Sequence, residues 1–384
     1  MSLVFNSEGG TDPQTHVLII GVGGYPFIKD GKDQKEQHFE SARDSGQLTS
    51  PPVSAEAFYN TVIKLHNAGA WIKPLGTVEV LLSVAEFNEK ELFEGRQLEP
   101  ATMGNIKKRF REWKRRCNSH ADNVTIFYFC GHGVDKEEHI LLAEDFGEVP
   151  TNPWEGSFAF DLTRRSFNSC KASTQLFFVD ACRNITVDML TTQTQLYPID
   201  TVDLTLTDCR FNLTQKSAAA NRSAYGPEEG VSYYSQSLIK ALEGGALMYE
   251  NDEWTIATGR LASIVGDFVD DIAPDEDTRQ RCNNVSGHST NILRFAEPPN
   301  IDLTISCTPS QAQEIANLSY VHIDTQLGDT RTADKEPWKV SIKPGIYNVR
   351  ADFPAGTYQP SGGASVFMPP HASRTLNCIE WKTA

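Results

Sequence analysis

Apolar and polar positions along the chain follow two regimes. Up to about residue 296, continuous apolar runs alternate with stretches whose apolar residues recur at helical spacing. The runs 17–20, 124–130 and 176–179 are unbroken, as expected of parallel strands buried on both faces. Residues 70–75 and 78–84 read as further strand material, and 139–143 as a short strand or turn. A helix is predicted after Pro51-Pro52, with Val53, Ala57, Phe58, Val62 and Leu65 on one face. Thr102 can cap a second, in which Ile106, Phe110 and Trp113 face inward. A short helix before residue 176 and helices over 232–242 and from Thr258 through Phe268 are also expected. Residues 186–215 predict a long Thr-rich loop with one strand at 201–206, and 254–256 and 291–295 read as short strands. Strands alternating with helices predict an α/β fold with a mostly parallel sheet flanked by helices. In such sheets, sites gather beyond the C-terminal ends of the strands.

Glu297-Pro-Pro-Asn300 marks a boundary. Beyond it, runs such as Ile301-Asp-Leu-Thr-Ile and Trp338-Lys-Val-Ser-Ile alternate in period two, with turn residues such as Lys343-Pro-Gly345 between them. This predicts a small, antiparallel, all-β sandwich. The expected domains are therefore residues 12–296 and 301–384.

With 39% hydrophobic and 22% charged residues, the 384-residue chain can form packed cores. Its net charge of −15 argues against nucleic-acid binding. The lysines and arginines that crowd residues 107–116 therefore read as the solvated outer face of a helix. No apolar run approaches the ~20 residues of a membrane helix, and the first 13 residues lack the apolar core of a signal peptide. The eight cysteines show no paired spacing. Free thiols in a reducing, cytoplasmic compartment are expected.

Two apolar runs end in residues with chemistry. One stops at Gly131-His132-Gly133 and the other at Asp180-Ala-Cys182-Arg183. A cysteine and a histidine so placed are the minimum parts of a thiol nucleophile and its base. An ordinary thiol has a pKa near ~8.5, so a neighbouring imidazole must activate it or protonate the leaving amine. Alone, Cys182 reads as a core cysteine and His132 as a structural histidine. Together, 50 residues apart, they match the order and gap of the caspase signature. Other readings carry less. Gly21-x-Gly23 follows a strand but lacks the third glycine of a dinucleotide loop, and Pro26 sits where a helix should open. Cys130, His132, His139 and Cys170 could supply zinc ligands, yet they include no second tight ligand pair, so no metal is expected.

The chain resembles the caspase-like cysteine peptidases, the clan of caspases and metacaspases. The resemblance rests on Phe129-Cys-Gly-His132-Gly133, Val179-Asp-Ala-Cys182-Arg183 and Gly230-Val-Ser-Tyr-Tyr-Ser-Gln-Ser-Leu, and covers roughly residues 12–296. It implies peptide-bond hydrolysis by a His132–Cys182 pair, with the backbone N–H groups of Gly133 and Cys182 stabilising the oxyanion. It also implies a substrate-binding edge at Ala219, Ala220 and Asn221, used by β-augmentation. Protein or peptide substrates are expected, and no cofactor. Calcium, which activates some relatives, finds no support: the acidic stretches 135–138, 144–145 and 275–277 read as solvated surface.

The chain departs from caspases where those bind aspartate. Asp180 stands in place of the pocket glutamine, and Tyr225 and Leu48 fall near the places of the two arginines. An acidic pocket pairs with a basic P1 side chain through a charge-assisted hydrogen bond. Cleavage after Arg or Lys is therefore expected, as in metacaspase-like enzymes, although Ser54 stands where their second pocket aspartate lies. Alternatively, Asp180 caps a helix or binds a loop. The rival function is a silent or latent caspase-like scaffold that acts by binding. In an active peptidase, the C-terminal domain would position substrate, recruit a partner or restrain activity.

Overall fold

The structure is a computed structural model that describes residues 2–7, 10–86, 91–135, 138–183, 196–206, 209–219, 224–227, 229–272, 280–369 and 372–381. The chain packs as two compact units, Met1–Leu242 with Thr255–Arg294, and Glu243–Trp254 with Phe295–Ala384.

The first unit opens with β1 (Leu3–Asn6), β2 (Thr15–Val22), α1 (Glu40–Asp44), α2 (Ser50–Asn67), β3 (Leu75–Ser83), α3 (Met103–Cys117) and β4 (Val124–Cys130). Then come β5 (Gly133–Asp135), β6 (His139–Leu142), β7 (Ser157–Ala159), α4 (Phe160–Ser166), β8 (Thr174–Asp180), β9 (Phe211–Lys216) and α5 (Tyr233–Lys240). The chain continues with β10 (Met248–Glu250), which falls in the second unit, and then with β11 (Glu253–Ala257), α6 (Thr258–Ile272), β12 (Asn283–Ser286) and β13 (Asn291–Phe295). The main sheet runs β1-β3-β2-β4-β8-β9-β12. Its five inner strands are parallel. Antiparallel β1 and β12 close the two edges.

Strand alternation assigns the helices to faces. Phe127 and Phe177 point to one side, where Phe110 of α3 and Phe160 of α4 meet them edge-on or stacked. Tyr128 and Phe178 point to the other, where Phe58 of α2 stacks on Tyr128 at 4.5 Å and Ser235 of α5 bonds its hydroxyl. Each face is thus covered, which is why these strands read as unbroken apolar runs. Pro51 and Pro52 lie in the first turn of α2, where their missing N–H groups have no helical partner to lose. Thr102 caps α3 by accepting the Asn105 N–H at 3.3 Å.

Several expectations are corrected. The two strand stretches at 70–75 and 78–84 are one strand, Leu75–Ser83, and Trp71 makes only an isolated bridge to Leu293. No strand forms at 201–206: Asp203 turns the chain by accepting the N–H and hydroxyl of Thr205, and Leu204 is exposed. The strand of that region is β9, which begins at Phe211. The basic face of α3 is not wholly solvated. Lys114 is buried against Asp200 and the Ser166 carbonyl, and Arg116 turns in to pair with the fully buried Glu79.

In the second unit, a three-stranded sheet joins β17 (Trp338–Ile342), β14 (Ile301–Thr308) and β20 (Ala372–Asn377). A four-stranded sheet joins β16 (Gly328–Arg331), β15 (Asn317–His322), β18 (Gly345–Asp352) and β19 (Ser361–Phe367). Leu303, Ile305, Leu318, Trp338, Val349 and Leu376 share its core. It is not purely antiparallel, because β14 and β20 run parallel. A short helix, α7 (Ser310–Ile315), interrupts the strands.

Candidate active site

Neighbouring strands β4 and β8 end in register, with Cys130 opposite Asp180. His132 and Cys182 each follow that pair by two residues, so both leave the sheet at the same edge, one strand spacing apart in origin. Both line a cleft of about 590 Å³ that also takes in Leu48, Asp180, Tyr225 and Glu229. The Leu48 and Tyr225 positions expected from sequence thus fall on one cavity.

The His132 ring is held from two sides. Its Nε2 donates to the Gly46 carbonyl at 2.7 Å, which leaves Nδ1 with the lone pair. Its backbone N–H donates to the Tyr25 hydroxyl at 2.8 Å, and the two rings lie 4.9 Å apart. Burial holds the His132 imidazole below its ordinary range, with the Gly46 bond pulling the other way. Burial likewise pushes the Tyr25 phenol far up, so it stays protonated. Neither Tyr25 nor Gly46 stood out in the sequence as part of a site. Both come from loops that only the folded chain brings to His132.

Cys182 is half-buried, and its Sγ accepts the Ala224 N–H at 3.3 Å. Its carbonyl accepts from Nε2 of buried His139 at 3.0 Å. Gly133 packs directly beneath: a Cβ there would sit 2.6 Å from the Cys182 carbonyl oxygen and 2.8 Å from His139 Nε2. Glycine is what permits that approach.

Asp180 lies on the cleft floor, buried. Its Oδ2 accepts from the hydroxyls of Ser232 and Ser235, the latter at 2.9 Å, and from Cys130 Sγ at 3.5 Å. Burial raises the Asp180 carboxyl, and these donors pull it back. Ser54 Oγ accepts the Ser232 N–H at 3.0 Å and so steadies one of those donors. Ala219 is half-buried beyond the end of β9; Ala220 and Asn221 lie outside the described residues.

The four candidate zinc ligands have separate partners or surroundings. Cys130 meets Asp180, His132 meets Gly46, His139 meets Cys182, and Cys170 is buried where the core packs around α3. Among the described residues, no group of three or more His, Cys, Asp or Glu side chains is placed to hold a metal ion. Two of the acidic stretches are not plain surface. Asp135 is buried and pairs with Arg183 at 3.0 Å, while Glu144 accepts the Ser83 hydroxyl and Asp145 the Met103 N–H. The third, 275–277, lies outside the described residues. None of the eight cysteines forms a disulfide. Among the described residues, no helix is long and apolar enough to cross a membrane.

The caspase-domain family, peptidase family C14, matches residues 16–258. The uncharacterized protein y4kE of Sinorhizobium fredii (strain NBRC 101917 / NGR234) is 25% identical over 289 residues, which are 72% of this chain and 78% of that protein. The crystal structure of caspase-1 from Spodoptera frugiperda is similar at a TM-score of 0.40 and 14% identity, over 71% of this chain and 88% of that one. The matched family region holds the parallel sheet from β2 to β9 together with both motifs at its edge, and the chain belongs to the caspase-domain family.

Proposed function

We propose that this chain is a cysteine endopeptidase that uses Cys182 and His132 to cleave after Arg or Lys. The observation that carries the reading is the register of β4 and β8, which delivers both side chains to one cleft. The described lining of that cleft includes the carboxylates of Asp180 and Glu229 and no lysine or arginine, which favours a basic P1 group.

In the proposed reaction, His132 Nδ1 takes the thiol proton as Sγ bonds to the scissile carbonyl carbon. The carbonyl π pair moves onto oxygen, where the N–H groups of Gly133 and Cys182 are the proposed donors. The C–N bond then breaks, and the proton held on His132 passes to the leaving amine. Water, deprotonated by the same nitrogen, then attacks the thioester carbonyl; the C–S bond breaks, the acid leaves, and the proton on His132 returns to Sγ.

The test is cleavage of fluorogenic peptides with Arg, Lys, Asp or Leu at P1, under reducing conditions, with and without calcium, by wild type and Cys182→Ala. Arg or Lys cleavage that vanishes in the variant supports the reading. Cleavage only after Asp or Leu removes the acidic-pocket assignment.

A latent or silent scaffold is the second reading. It is favoured by the Ala224 peptide, whose N–H and carbonyl lie 3.3 and 3.8 Å from Cys182 Sγ, where a substrate would approach. Alkylation of Cys182 without peptide turnover would favour it.

A further inference from the structure

The proposed mechanism makes no use of His139, yet its surroundings are elaborate. His139 sits at the start of β6, fully buried. Because its Nε2–H donates to the Cys182 carbonyl, its Nδ1 carries the lone pair, and that atom is buried with no hydrogen-bond partner among the described residues. An apolar residue would fill the same space without the cost of stranding a polar atom, roughly 1–3 kcal/mol. Packing alone therefore does not account for an imidazole here.

The residue is also fixed from behind. Its backbone N–H donates to Asp161 Oδ2 at 3.1 Å, and Lys216 Nζ grips both oxygens of Asp161 at 2.7 and 2.9 Å. Arg183, next to Cys182, is tied to Asp135 of β5. Burial, then the Lys216 and Arg183 cations, hold the imidazole well below its ordinary range, so it stays a neutral, single-tautomer donor.

What the donor holds is the junction of two chain segments. The Cys182 carbonyl, His139 Nε2 and the Cα of Gly133 meet at one point, with no room for a Cβ between them. Gly133 and Cys182 are the residues whose N–H groups the proposed reaction uses for the oxyanion. We propose that His139 is a positioning residue: by clasping the Cys182 carbonyl against Gly133, it sets the separation of those two N–H groups. The proposal rests on the peptidase reading above. It assigns His139 no proton transfer and no contact with substrate.

The test compares the full chain with His139→Gln, whose amide N–H reaches the place of Nε2–H, and with His139→Leu, which removes the donor. Steady-state turnover of Arg- and Lys-P1 peptides, the rate of Cys182 alkylation by iodoacetamide, and the melting temperature are read for each. Alkylation needs the thiol but no oxyanion, so it separates the two roles. His139→Leu should lose about 30-fold or more in kcat with KM and alkylation rate within about threefold, and His139→Gln should keep kcat within about threefold. If His139→Leu does not fold, His139→Asn, which withdraws the amide by one methylene, should show the same loss of kcat. Full turnover in the Leu and Asn variants overturns the proposal and leaves the peptidase reading intact. Equal losses of kcat, alkylation and melting temperature in the Gln and Leu variants overturn it in favour of a purely structural role. A wild type that neither cleaves nor alkylates overturns the peptidase reading, and this proposal with it.

Discussion

The Tyr25 hydroxyl accepts the backbone N–H of His132 at 2.8 Å, and its ring lies 4.9 Å from the imidazole. Tyr25 is fully buried, so without its oxygen the His132 N–H is stranded. Tyr25→Phe should cost about 1–3 kcal/mol in stability, the usual penalty for a buried orphan donor. It should also lower kcat by roughly tenfold, because the imidazole loses one of its two restraints. Denaturant melts and peptide turnover measured on the same preparation check both. Unchanged turnover would mean that the bond to Gly46 orients the ring alone.

Gly133→Ala places a methyl group 2.6 Å from the Cys182 carbonyl oxygen and 2.9 Å from Ala181 Cβ. Backbone must move, and it is the backbone that carries the proposed oxyanion donors. A displacement of about 1 Å can cost roughly 100-fold in rate. The variant should therefore fold, with a lowered melting temperature, and turn over peptide at least about 100-fold more slowly. Retained activity would exclude Gly133 from the reacting site.

The sequence made the centre of the sheet legible because β2, β4 and β8 are buried on both faces and read as unbroken apolar runs. Both motif residues follow directly from the ends of such runs. The next strand was hidden by its chemistry. β9 reads Phe-Asn-Leu-Thr-Gln-Lys, yet Asn212, Thr214, Gln215 and Lys216 are all buried. Their polar atoms are satisfied at long range: Gln215 donates to the Ala262 carbonyl, and Lys216 reaches Asp161. No local pattern announces such partners. The apolar alternation at 202–206 was a false lead, because an Asp203 turn leaves Leu204 in solvent. The contacts of Tyr25 and Gly46 with His132, and of His139 with Cys182, escaped for a similar reason, since each joins residues at least 43 positions apart.

Asp180 separates charge recognition from chemistry. Asp180→Asn keeps the shape of the side chain and removes its charge, and the hydroxyls of Ser232 and Ser235 can turn to suit an amide. A charge-assisted bond to a basic P1 group contributes about 1.5–3 kcal/mol. The kcat/KM for Arg and Lys peptides should accordingly fall by roughly 10- to 100-fold, while Cys182 alkylation is unchanged. An Asp180→Asn enzyme with its basic preference intact would move that preference to Glu229 at the exposed part of the cleft.

His16 gives stability a defined pH dependence. It is buried in β2 with Nδ1 against the Thr77 hydroxyl, and burial, aided by Arg116, lowers its pKa to about 4. The unfolded chain binds this proton near pH ~6.5 and the folded chain only near pH 4. Between those values the unfolded state holds more protons, so stability rises with pH. The contribution is complete above about pH 6.5 and is lost as pH falls toward 4, by roughly 3 kcal/mol at most. Urea melts across that window should show a steeper slope for wild type than for His16→Gln. Parallel slopes would remove His16 as the source.

Glu79 and Arg116 pair at the centre of β3, where the Glu79 side chain is fully buried and Arg116 reaches in from the last turn of α3. Burial lowers the Arg116 pKa, a sign that its charge has lost water. Such a pair adds little net stability over an apolar substitute, because desolvation offsets attraction, yet removing one partner leaves a buried charge alone. Arg116→Met should therefore cost about 3–5 kcal/mol, and Glu79→Leu a similar amount. The double variant should cost less than either single one, giving a coupling of roughly 3 kcal/mol or more in a double-mutant cycle. Additive losses would show that the two charges are solvated independently. In that case Glu79 would be held by the sheet rather than by its partner.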